Sequence, residues 1–135
     1  MNIAKPMLIC AGLALGTAHV AMAQPALYDA GLLGSECLRA DCIQATRAAL
    51  DAILAQHPDA DALNSQIGVL AAALFAVAKQ AAPGKLAEVA QSLELLASIS
   101  SDGAQRQSLL LLARQIGAGD VGLFDLDTPF AASPA

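Results

Sequence analysis

The stretch Ile67-Gly-Val-Leu-Ala-Ala-Ala-Leu-Phe-Ala-Val-Ala78 contains no polar side chain. Wound as a helix, it is apolar on every face for about three turns. Its alanines and leucines are strong helix formers, and a helix with no wet side needs neighbours all around it. Twelve residues fall short of the roughly 20 that a bilayer span requires, so the stretch predicts the buried central helix of a small bundle. Gly68 and the run Ala71, Ala72 and Ala73 let other helices approach closely, at a propensity cost of up to about 1 kcal/mol for the glycine.

The rest of the domain is read outward from that helix. Pro58, Asp59 and Asp61 open it, since proline suits a first turn and carboxylates favour the positive end of the helix dipole. Leu63, Ile67, Leu70, Leu74, Val77, Ala78 and Ala81 form its main stripe, and Pro83-Gly84 ends it. Upstream, Asp41 and Gln44 have the spacing of a capping pair. They start a helix whose Ile43, Leu50, Ile53 and Leu54 recur at helical intervals until His57-Pro58 stops it. Downstream, a third helix turns Leu86, Val89, Ala90, Leu93, Leu96 and Ala97 inward and Lys85, Glu88, Gln91 and Glu94 outward. Asp102 with Gln105 repeats the capping spacing for a fourth helix that ends at Gly117-Ala-Gly119. Leu109, Leu112, Ala113 and Ile116 form its stripe, and Leu110 and Leu111 widen it beyond what one neighbour covers.

The expected fold is therefore all-α, a small up-down bundle of four helices over residues 41–117. Residues 24–40, with Pro25, Gly31 and Gly34, read as an irregular lead-in. Residues 118–135 read as a partly ordered tail, apolar at Val121, Leu123, Phe124, Leu126 and Phe130.

Residues 1–23 have the order of a secretory signal: one early cation, Lys5, then the apolar run from Met7 to Gly16, then small residues. Ala21-Met-Ala23 is the small-x-small pattern of a cleavage site, which places the cut between Ala23 and Gln24. His19 interrupts the run near its end, which argues against a retained anchor. Cys10 follows Leu8-Ile9 and so lacks the small residue that precedes a lipidated cysteine. The expected location is a periplasm or the extracellular space, with no stable membrane anchor after cleavage.

Removal of the leader leaves 112 residues, enough for one domain. Six cations then face twelve acids, a formal charge of −6. Arg39, Arg47, Lys79, Lys85, Arg106 and Arg114 are scattered rather than clustered, which excludes nucleic acid as an expected partner. With three phenylalanines, one tyrosine and no tryptophan, flat stacking platforms are not expected either.

Cys37 and Cys42 are the cysteines of the exported part, and an oxidising compartment favours pairing them. Five residues apart on one continuous helix their Cα atoms would lie about 8 Å apart, beyond the roughly 7 Å limit for a bridge. A bridge thus requires Cys37 to stand outside the helix that Asp41 starts. The alternative use of the pair, as a redox dithiol, has weak support because the spacing is not Cys-x-x-Cys. His57 beside Asp59 and Asp61 reads as a helix C-terminal residue. Asp120, Asp125 and Asp127 lack the Asp-x-Asp-x-Asp-Gly framework of a calcium loop. No nucleophile elbow, phosphate loop or zinc-protease motif occurs. No metal, cofactor or catalysis is expected.

These readings converge on a non-enzymatic exported protein acting through contact with a protein partner or with itself. The expected face consists of Leu109, Leu110, Leu111, Leu112, Phe124 and Phe130. A carrier of a small apolar ligand between the helices is the second reading, and thiol redox chemistry the third. Intact-mass measurement of the exported chain is expected to find Gln24 as its first residue; a product that still begins at Met1 refutes the leader reading.

Overall fold

A computed structural model of the chain describes residues 27–123. The expected leader, with the expected cleavage residues Ala21, Ala23 and Gln24, and the tail residues Phe124 and Phe130 lie outside them. Among the described residues the fold is all-helical, with α1 at Ala30–Arg39, α2 at Cys42–Leu54, α3 at Ala60–Gln80, α4 at Leu86–Ile99 and α5 at Gly103–Gly117. Short 3-10 turns occupy Pro83–Lys85 and Val121–Leu123.

Five helices, not four, make up the bundle, because the expected irregular lead-in contains α1. Asp29 caps it, its carboxylate accepting from the Gly31 amide at 2.9 Å. Leu33 and Cys37, four residues apart on one face, are both fully buried. Burial of those two side chains overrides the propensity cost of Gly31 and Gly34, about 1 kcal/mol each. The residues before α1 are also held: the Leu27 amide donates to Gln66 Oε1 (3.2 Å), and its carbonyl accepts from Gln56 Nε2 (2.8 Å).

The expected capping aspartates act as caps. Asp41 Oδ1 accepts from the amides of Ile43 (2.9 Å) and Gln44 (3.2 Å), and Asp102 Oδ1 accepts from the Gln105 amide (2.8 Å). Asp59 caps α3 by accepting from the Ala62 amide at 2.8 Å, which leaves Pro58 just outside the helix. The buried face of α2 is Cys42, Thr46, Ala49, Leu50 and Ile53, while Leu54 is exposed. Small and polar members complete a helical pattern that large apolar residues alone did not outline. The turn after α2 puts His57 in the left-handed region at φ 53°. Gly119, at φ 89°, closes the end of α5, where the Asp120 amide donates to the Gln115 carbonyl at 2.8 Å.

The packing is not a simple up-down order. α4 and α5 form the most extensive pair, α1 packs on both α2 and α3, and α2 packs on α4 but makes little contact with α3, its successor in the chain. α3 has α1, α4 and α5 as neighbours. At 21 residues it is long and apolar enough to cross a membrane by length and composition. Ile67, Leu70, Ala71, Leu74 and Phe75 are fully buried against the other helices, as a core helix requires. The expectation that it is enclosed on every side fails on one face, where Val69, Ala72 and Ala76 are exposed.

The start of α3 is tied to the α4–α5 turn by a buried polar cluster. Gln105, fully buried, donates from Nε2 to the Asn64 carbonyl at 2.7 Å and accepts from the Ser100 hydroxyl at 2.5 Å. Asn64 Oδ1 accepts from the Ser101 amide (3.1 Å), and its Nδ2 donates to Ser101 Oγ (2.9 Å). Ser92 Oγ is equally buried but has no hydrogen-bond partner among the described residues. Truncation at these two sites is expected to act in opposite directions. Gln105→Ala removes the side-chain bonds to the Asn64 carbonyl and the Ser100 hydroxyl and opens a cavity, costing about 2–4 kcal/mol, whereas Ser92→Ala removes an unsatisfied hydroxyl and gains about 1 kcal/mol. Urea unfolding of both variants checks the pair, and equal destabilisation would contradict it.

Candidate functional site

α1 and α3 meet side by side without interlocking fully. Gly31, Gly34 and Ser35 on α1 face Ala72, Ala73 and Ala76 on α3, so little side-chain volume fills the space between the helices. The result is an open groove of about 520 Å³. Leu38 on one wall and Val69 on the other are each 44% exposed, and Leu32 on α1 is exposed to the same degree. No charged side chain lines the groove. Its polar residues are turned back on their own helices: Ser35 Oγ donates to the Leu32 carbonyl (3.1 Å) and Gln80 Nε2 to the Ala76 carbonyl (3.3 Å). Such a surface offers aliphatic contact and room for large side chains, and none of its lining residues is an acid or a base.

Next to the groove's α1 wall lies the corner between α1 and α2. Ala40 is extended, at φ −142° and ψ −152°, and this break separates the two helices. Cys37 therefore does not stand on the helix that carries Cys42. It sits in the last turns of α1 and Cys42 in the first turn of α2, with Cα atoms 4.0 Å apart and sulfurs at disulfide distance. The sequence expectation of a bridge at the start of α2 is met in its geometry, although Cys37 is helical rather than irregular. Both residues are fully buried.

The first turn of α4 clamps this corner. Lys85 Nζ donates to the Ala40 carbonyl at 2.6 Å, and Glu88 Oε1 accepts from the Cys42 amide at 3.0 Å. The two side chains pair with each other at 3.2 Å. A cation thus meets the negative end of α1 and a carboxylate the positive end of α2, as their dipoles favour.

The residues singled out from the sequence separate in space. Leu109 and Leu112 are fully buried in the core, whereas Leu110 (37%) and Leu111 (44%) are exposed. The four leucines therefore do not form one contact face, because consecutive helix positions lie about 100° apart. His57 is exposed at the end of α2. Among the described residues no group of three or more His, Cys, Asp or Glu side chains could hold a metal ion. Sequence reasoning missed the groove because its α1 wall lay in a segment read as irregular. The four-residue step from Leu33 to Cys37, with Asp29 ahead as a cap, was the signal for that helix.

Comparison with family models, with curated proteins and with solved structures finds no match to the chain.

The bridge closes a short loop, so its entropic contribution is expected to be small. The Cys37→Ala/Cys42→Ala variant is expected to keep the fold and lose about 2 kcal/mol of stability. Because both sulfurs are buried, the native chain is also expected to resist millimolar glutathione at neutral pH. Rapid exchange of the folded protein, followed by mass spectrometry, is the outcome that contradicts this.

Proposed function

We propose that this chain is a non-enzymatic protein, exported to a periplasm or out of the cell, that works by docking an apolar segment of another polypeptide in the groove between α1 and α3. The observation that carries the reading is the groove itself, with exposed Leu38 and Val69 on its rims and small residues on its floor. Helix-in-groove and extended-segment recognition both use such surfaces, with large side chains of the guest filling gaps left by small ones of the host.

A carrier of a small apolar ligand is the second reading. Ligand pockets enclose most of their guest and hold a few convergent polar groups that fix its orientation. Here the groove is open, its polar side chains are turned to their own backbones, and Leu109 and Leu112 are packed into the core rather than lining a cavity. Polypeptide docking is favoured on those grounds. Thiol redox chemistry is disfavoured by the burial of both cysteines.

Ala72 and Ala76 are exposed, so charge there disturbs the groove and not the core. The Ala72→Glu/Ala76→Glu variant is expected to unfold at the wild-type temperature yet to lose the protein that crosslinks to the wild-type chain in its own cell envelope. Retention of the same crosslinked protein by the variant would rule out this surface. A lipid-like mass co-purifying with the wild type in native mass spectrometry would favour the carrier instead.

A further inference from the structure

We propose that the polypeptide docked at this surface is a second copy of the chain, with the two α3 helices laid antiparallel in a two-fold symmetric dimer. The inference rests on the reading of the groove as a docking site and names the partner.

Between Asp61 and Lys79, both exposed, the exposed residues of α3 are Ser65, Val69, Ala72 and Ala76. At 100° per residue all six fall within about 80° of arc, on one side of the helix. From Ser65 to Lys79 they follow steps of 4, 3, 4 and 3 residues, the repeat of a helix-helix seam. No charged residue occurs between Asp61 and Lys79, although the wet face of a surface helix ordinarily carries charge. Val69, Ala72 and Ala76 are also the outer edge of the groove's α3 wall. Serine and alanine leave the backbone of α3 open to close approach by another helix.

The two charges at the ends of the seam select the guest. Asp61 and Lys79 are 18 residues and five turns apart, so they project from the same side about 27 Å from each other and cannot pair within one chain. Neither belongs to an ion pair among the described residues, where Arg39 pairs with Glu36 and Lys85 with Glu88. The Lys79 ammonium lies 5.4 Å from the centroid of the Phe75 ring. Each charge suits the dipole at its own end of α3, but the dipole acts around the whole circumference and does not account for both charges standing on the apolar seam. A guest for this face needs an apolar helix of the same length with an acid at one end and a cation at the other. α3 itself has that pattern. Parallel pairing would set Asp61 against Asp61 and Lys79 against Lys79, and like charges repel. Antiparallel pairing about an axis level with Leu70 sets Asp61 of each copy against Lys79 of the other. To within one residue, the same register sets Val69 against Ala72 and Ser65 against Ala76, a larger side chain opposite a small one. Charge and shape therefore select one arrangement.

The test is sedimentation equilibrium of the purified chain at low ionic strength, from micromolar to millimolar concentration. The wild type is expected to dimerise. Asp61→Lys alone and Lys79→Asp alone bring like charges together, and each is expected to raise the dimer dissociation constant about tenfold. An equimolar mixture of these two variants restores opposite charges at both ends, as does the Asp61→Lys/Lys79→Asp chain. Both are expected to associate like the wild type, a recovery that mere damage to the fold by the single changes would not give. A chain that is monomeric at every concentration overturns the proposal, as does a dimer that survives Ala72→Glu or single charge variants that associate like the wild type. If a monomeric wild type still crosslinks to another envelope protein, and Ala72→Glu/Ala76→Glu abolishes that crosslink, the docking function stands and the dimer alone falls. If a monomeric wild type crosslinks to nothing, both fall.

Discussion

The structure depends on one constraint: α3 carries more apolar surface than one neighbour can cover. Ile67, Leu70, Leu74 and Phe75 are fully buried, at roughly 1.5–3 kcal/mol for each side chain removed from water. That demand assembles α1, α4 and α5 around it. α2 attaches at one remove, through α1 and α4, and its position is set less by apolar area than by the corner it makes with α1. The polar cluster of Asn64, Ser100, Ser101 and Gln105 then fixes how far α3 can slide against the α4–α5 pair. Its donors and acceptors match in one register, and a slip by one turn would leave buried groups unsatisfied.

The α1–α2 corner is held in three ways at once: a disulfide between the helices, a lysine on the last carbonyl of one, and a glutamate on the first amide of the other. Lys85 and Glu88 look like an ordinary surface pair three residues apart, of the kind that contributes a few tenths of a kcal/mol. Their partial burial and their backbone partners give them a different role, that of aligning α1. α1, whose end this clamp holds, is also one wall of the groove.

The uncovered face of α3 follows from the same geometry. Helices packed on a cylinder leave gaps wherever the facing residues are too small to interdigitate, and Gly31, Gly34, Ala72 and Ala76 are such residues. Larger side chains there would have filled the space between α1 and α3. The small ones leave a channel with apolar walls.

Local sequence rules sufficed for the helical class, the capping aspartates at 41 and 102 and the inward stripes of α4 and α5. These follow from local rules: propensity, periodicity of 3.6 residues and the unpaired amides of a helix start. The sequence also required a break between Cys37 and Cys42 if they are to be bridged, since their spacing forbids a bridge on one continuous helix. Only the tertiary structure decided that residues 30–39 are a helix, because the burial that offsets two glycines comes from α2 and α3, far along the chain. Only the tertiary structure separated Leu109 and Leu112 from Leu110 and Leu111, turned Gln105 from half of a capping pair into a buried strut, and opened the groove. Each of those outcomes depends on which faces meet across the bundle, a property of long-range packing of which local pattern gives at most a trace, as the step from Leu33 to Cys37 does for α1.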